Sequence, residues 1–117
     1  MSQISWLLEV QIQDGQAENY KPLAEDLVAS TKNETGALVY ECTKNADGNV
    51  CHFYERYKDS AAAVIHLGNF GANFAGRFME VLTPLRFTVY GTPSDELKGA
   101  LAAFDPTYMD SVDGFSR

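Results

Sequence analysis

The chain has little positive charge and no block of it. Nine Lys and Arg stand against sixteen Asp and Glu, a net charge of −7. Nucleic acid and anionic membrane both require a basic footprint, so neither is an expected partner. Cysteine is scarce: only Cys42 and Cys51, on either side of "TKNADGNV". A hairpin there brings the two near each other, and the turn register decides whether they oppose. They lack metal spacing, and the two histidines, His52 and His66, lack Cys or carboxylate partners in a ligand pattern. No metal site is therefore expected. The opening "MSQISWLLEVQIQDGQ" has no basic start and no long apolar run, so no secretory segment is expected. No stretch approaches the ~20 apolar residues of a membrane span. These absences predict a cytoplasmic protein with reduced thiols. There is no nucleophile elbow, no HExxH and no Cys-x-x-Cys. The glycine-rich "GNFGANFAG" follows a helix rather than a strand, so it is not a phosphate loop.

What is present suits one small domain. The 117 residues are 45% apolar, too many for a disordered chain. A domain this small buries a modest fraction of its surface, so a partner subunit would help it. In "ISWLLEVQI", Ile4, Trp6, Leu8, Val10 and Ile12 alternate with polar positions, as in a half-buried strand. A helix is expected from Asn19, with Pro22 in its first turn and Gly36 as its C′ stop. "ALVYECTK" and "NVCHFYERY" read as a hairpin closed by a left-handed glycine in "NADG". Asp59 or Ser60 caps the helix "AAAVIHLGN". Gly68 and Gly71 are expected to interrupt it. A further helix, "FGANFAGRFMEVL", sets Phe70, Phe74, Phe78 and Leu82 on one face. "RFTVYGT" is the last predicted strand, and Ser94 caps the short helix "DELKGALAAF".

The order strand, helix, strand, strand, helix, strand is the split β-α-β-β-α-β pattern of an α+β, ferredoxin-like fold. It predicts a four-stranded antiparallel sheet with helices on one face. The other face must be covered, so two copies are expected to pack sheet on sheet as a homodimer. Residues 1–103 form the expected domain, and 104–117 a tail of no clear period.

Three stretches together resemble a known family, the antibiotic biosynthesis monooxygenase domains, including their quinol monooxygenase-like members. "ETGALVYE" is similar to the family's entry into its second strand. "FYERYKDSAAAVIHLGNF" is similar to its strand carrying Glu, its capped helix and the His that follows. "LRFTVY" is similar to its closing strand. The resemblance covers roughly residues 4–91. It implies a dimeric α/β barrel with a pocket between sheet and helices in each subunit. It also implies oxidation of phenols or hydroquinones by molecular oxygen, with no cofactor in many members. Other members of the wider fold isomerise metabolites, degrade haem or have no known activity, so the reaction stays open.

Two residues are candidates for catalysis. His66 is an imidazole suited to taking a proton from a phenol or hydroquinone, and it matches the family's helix histidine. Its alternative is a histidine favoured by the dipole at a helix end. Glu55 shares a strand face with Cys51, Phe53 and Tyr57, and either orients His66 or the substrate or makes a salt bridge to Arg86 or Arg56. Asn69, three residues after His66, is either an amide for a substrate oxygen or the helix C-cap. Trp6, Tyr40, Tyr57 and Phe74 are candidates for lining an aromatic substrate pocket, though the phenylalanine stripe as such reads as core. The expected function is cofactor-independent oxidation of a small quinol or phenol. An isomerase or hydrolytic variant using His66 as acid and base, and a non-catalytic ligand-binding or stress-response barrel, are the alternatives.

Overall fold

A computed structural model describes residues 3–117. The chain runs β1 (Ile4–Ile12), α1 (Ala17–Thr31), β2 (Ala37–Lys44), β3 (Val50–Tyr57), α2 (Ser60–Asn73), α3 (Ala75–Val81), β4 (Leu82–Tyr90), α4 (Asp95–Leu101), a 3-10 turn (Ala102–Phe104) and β5 (Thr107–Met109). The sheet order is β2-β3-β1-β4-β5. The first four strands pair antiparallel, and β5 adds to β4 in parallel. This is the ferredoxin-like α+β fold with one strand more than the sequence indicates. β5 has only three residues, all exposed, so no alternation marks it. No described helix is long and apolar enough to cross a membrane.

Alternation builds the core. On β3, Cys51, Phe53, Glu55 and Tyr57 are buried while their neighbours are half-exposed. Opposite them on β1 lie Val10, Leu8, Trp6 and Ile4. The helices cover this one face, α1 through Tyr20, Leu23, Ala24 and Leu27. α2 contributes Ala62 and Ala63, and α4 contributes Leu97 and Leu101. Phe53 is fully buried, with the rings of Tyr20, Tyr40 and Phe78 around it. The β2–β3 turn has Gly48 at φ 76°, as its sequence predicts. Cys42 faces Phe53 and Cys51 faces Lys44, so the thiols do not oppose each other, and both are free.

Several helix boundaries differ from the sequence reading. α1 starts at Ala17, so Pro22 lies beyond its first turn and forfeits one backbone hydrogen bond. α2 runs through Gly68 and Gly71 to Asn73 and breaks only at Phe74. A helical glycine costs about 1 kcal/mol, too little to end a helix whose inner face is packed. The Phe70–Leu82 stripe is thereby split. Phe70 and Phe78 meet edge-on at 5.2 Å from different helices. β4 begins at Leu82 and tolerates Pro84 because its outer edge there is unpaired.

Gly36 is not the stop of α1, which ends five residues earlier, and its φ is not positive. A Cβ on Gly36 would stand 2.5 Å from the Cβ of Ala62. Its role is close approach: it lets the first turn of α2 lie against the start of β2. That contact sets Glu34 beside His66, one helical turn beyond Ala62.

Candidate active site

His66 stands in the middle of α2, 4% exposed. It is no helix-end residue, so the dipole reading falls. Asp59 accepts a hydrogen bond from the Ala62 N–H at 2.8 Å and fixes the start of α2. One turn later the imidazole points at the sheet between two carboxyl groups. Its Nδ1 lies 3.1 Å from Glu34 Oε1 and its Nε2 lies 3.4 Å from Glu55 Oε1. A carboxylate only accepts, so the shorter contact favours the tautomer with its N–H on Nδ1, in which Nε2 is the unprotonated nitrogen. The rings of Tyr57, Tyr40 and Trp6 surround the imidazole at 5.0, 5.5 and 6.5 Å.

Glu55 makes neither salt bridge that its sequence neighbours suggest. Arg86 reaches Glu9 instead, at 3.6 Å, and Arg56 donates to the Tyr54 hydroxyl on the opposite sheet face. The Tyr57 hydroxyl donates to Glu55 Oε1 at 2.6 Å. Burial pushes the Glu55 carboxyl above the usual carboxylate range, against the opposing pull of His66, Tyr57 and Trp6. Tyr40 and Tyr57 are pushed upward by burial and by the Glu55 carboxyl, so both remain phenols.

The raised Glu55 gives a stability prediction with a definite sign. The folded protein holds this proton to higher pH than the unfolded chain does. Its stabilising contribution is complete below the ordinary Glu range and is lost as pH rises through the folded value. Glu55→Gln cannot ionise, while its amide oxygen still accepts from Tyr57. The Tm of wild type relative to Glu55→Gln should therefore fall as pH rises above the ordinary Glu range. Tm curves that stay parallel as pH rises would show that Glu55 does not carry the shift.

A cavity of about 840 Å³ opens beside this pair. His66, Glu55, Trp6 and Tyr40 form its polar and aromatic corner. Leu8, Leu67, Phe70, Phe78 and Phe87 continue it as an apolar wall. Beyond β4, Phe104 and Asp105 of the C-terminal segment close one side. The structure thus brings His66, Glu55, Trp6 and Tyr40 together as the sequence suggests. Three residues read as substrate-binding stand elsewhere. Tyr57 is fully buried behind Glu55. Phe74 packs half-buried against the core. Asn69 is neither cap nor lining: its amide donates to Glu34 Oε2 at 3.3 Å. Glu34 itself escaped the sequence reading as a site residue. It heads "ETGALVYE" from the loop before β2, 32 residues from His66, and no local spacing joins the two. Among the described residues no group of three or more His, Cys, Asp and Glu is arranged to hold a metal ion.

Similar folds are known. MupZ from Pseudomonas fluorescens superposes with a TM-score of 0.89 at 24% identity, covering 100% of this chain and 96% of that one. Rv0793 from Mycobacterium tuberculosis gives 0.68 at 25% identity, covering 80% and 97%. SnoaB, a cofactor-independent oxygenase from Streptomyces nogalater, gives 0.68 at 11% identity, covering 80% and 96%. No curated protein sequence matches the chain. The model of the antibiotic biosynthesis monooxygenase family matches residues 4–70, the span from β1 through His66. With more than half of its length matched, and with the fold of that family, the chain belongs to the antibiotic biosynthesis monooxygenase family.

Proposed function

We propose that this protein is a cofactor-independent monooxygenase acting on a quinol or phenol. The observation that carries the reading is His66 at the wall of an apolar, aromatic-lined cavity, with its Nδ1 held by Glu34 and its Nε2 beside Glu55. His66 removes the hydroxyl proton and creates an electron-rich phenolate. That anion passes one electron to oxygen, and the two radicals combine as a peroxide. The peroxide loses water and leaves a quinone. One oxygen atom replaces two hydrogens on the substrate, the other departs as water, and the substrate supplies every electron. Tyr40, at the cavity wall, serves as a hydrogen-bond donor to the developing anion, and Glu55, beside His66, completes the polar corner. The apolar wall keeps water from the intermediates. The name of SnoaB as a cofactor-independent oxygenase supports the same reading.

Oxygen uptake with a panel of benzo- and naphthohydroquinones is the test, with labelled oxygen gas to trace one atom into the quinone. Uptake no faster than autoxidation across the panel would refute the oxygenase. A second reading is favoured by the geometry of Glu55, a buried carboxyl whose proton affinity burial raises, 3.4 Å from the His66 imidazole. Such a pair suits hydrolysis or isomerisation, with Glu55 donating to a substrate oxygen while His66 takes a proton. Product formation without oxygen consumption would select it.

The same reading includes a homodimer joined through the open sheet face, and the free thiols Cys42 and Cys51 fit a reducing, cytoplasmic setting. The buried clusters lie on one face of the sheet, while Leu7 pairs with Tyr54 and Thr88 on the other. Light scattering should give a dimer for the wild type and a monomer for Leu7→Glu, which sets a carboxylate in that face. A monomeric wild type would refute it.

A further inference from the structure

Two glycines in the interior of α2, Gly68 and Gly71, have no local reason to be glycine. Neither has a positive φ, and a Cβ on either meets nothing within 4 Å. Each weakens the helix by about 1 kcal/mol relative to alanine. Both line the cavity, and so do Ala100 and Ala103 across from them. These positions trade helix stability or side-chain packing for room.

The room is far more than one ring needs. A cavity of about 150 Å³ holds benzene, and this one is about 840 Å³. Its chemistry is at one side of the sheet. Glu55 is on β3, and β4 lies two strands away, about 10 Å at ordinary strand spacing. There β4 carries a bulge: Glu9 pairs with Arg86 and Val10 with Pro84, which leaves Leu85 as the extra residue. Leu85 is exposed, as are Met79 of α3 and Phe104 of the 3-10 turn, and all three line the cavity. Phe104 sits edge-on to Phe87 at 6.0 Å, and Phe87 edge-on to Trp6 at 5.6 Å. The wall made by Ala100, Ala103 and Phe104 lies outside the span that matches the family model.

We infer that the substrate carries a large apolar body extending from His66 toward the bulged edge of β4, and that Gly68, Gly71 and Phe104 select it by size. The inference rests on the reading of His66 as the reacting end. Small substrates would react there but leave most of the cavity empty. Substrates with a chain or fused rings would gain the burial energy of the far wall.

The test is binding, read without turnover. Trp6 is the only tryptophan and lines the cavity, so its fluorescence reports occupancy. The probes are 4-propylphenol and 4-heptylphenol, titrated under nitrogen. Wild type should bind the heptyl compound about two hundredfold more tightly, given four more methylenes at roughly 0.8 kcal/mol each when buried. Gly71→Leu should lose at least about tenfold for heptylphenol and stay within about twofold for propylphenol. Gly99→Leu is the control: Gly99 is also helical with open space at its Cβ, but it does not line the cavity. It should change neither affinity. Both variants should keep or raise the Tm, because leucine is the better helix former. Equal affinity for the two phenols in wild type, or identical behaviour of the two variants, would overturn the inference. If length and Gly71 act as expected while no quinol consumes oxygen, the size selection stands and the oxygenase reading falls. Oxygen uptake with no dependence on length would keep the oxygenase and overturn the size selection.

Discussion

His66→Ala should lower kcat/KM for oxygen uptake by about 10²- to 10⁴-fold, the usual worth of a positioned general base. The loss should lie mainly in kcat, since the apolar wall that binds the substrate is untouched. Alanine leaves Glu34 and Glu55 facing each other without the imidazole between them, so some stability goes as well. His66→Gln separates the two effects: it keeps a polar side chain between the carboxyl groups but is no base, and it should fold normally and remain inactive. The hole in His66→Ala adjoins an open cavity, so added imidazole has a route to the vacated position. Partial rescue by imidazole is expected. A fully active alanine variant would remove His66 from the chemistry.

Glu34→Gln should cost about 10- to 100-fold in kcat with KM little changed. Glu34 touches no part of the cavity, so it acts as a positioning residue through His66. The carboxylate offers one oxygen to Nδ1 at 3.1 Å and the other to the Asn69 amide at 3.3 Å. Glutamine has a single acceptor for these two donors. If that oxygen turns to Asn69, its NH₂ faces Nδ1, and the imidazole proton moves to Nε2. The base is then blocked in the wrong tautomer. Removing the competing donor should undo part of the damage. The double variant Glu34→Gln/Asn69→Ala should therefore be more active than Glu34→Gln alone, a coupling that a merely structural role does not produce. A double variant with additive losses would refute the tautomer argument.

Much of the fold was legible because it is written in short-range patterns. The alternation of Ile4, Trp6, Leu8 and Val10, the turn at Gly48 and the caps Asp59 and Ser94 each need only a few neighbouring residues to act. Phe74 shows where that legibility ends. It continues a four-residue stripe with Phe70 and Phe78, yet the helix breaks there, at a residue of non-helical backbone that packs half-buried against the core. Gly36 shows the same in reverse. Read locally it is a helix stop, but its neighbour across the fold is Ala62.

The candidate site divides in the same way. By itself the sequence determined that Glu55 lies on an inward strand face and that His66 follows on a capped apolar helix, since strand alternation and helix capping are local. Only the tertiary structure decided that His66 sits between two carboxyl groups. Glu34 comes from a loop 32 residues away, and no period or spacing encodes that meeting. It is made by the close approach of α2 to β2 over Gly36. The tertiary structure likewise made the C-terminal segment a wall of the cavity. Phe104 belongs there because α4 docks through Leu97 and Leu101. Burial at distant contacts, not the local pattern of residues 104–117, holds it in place.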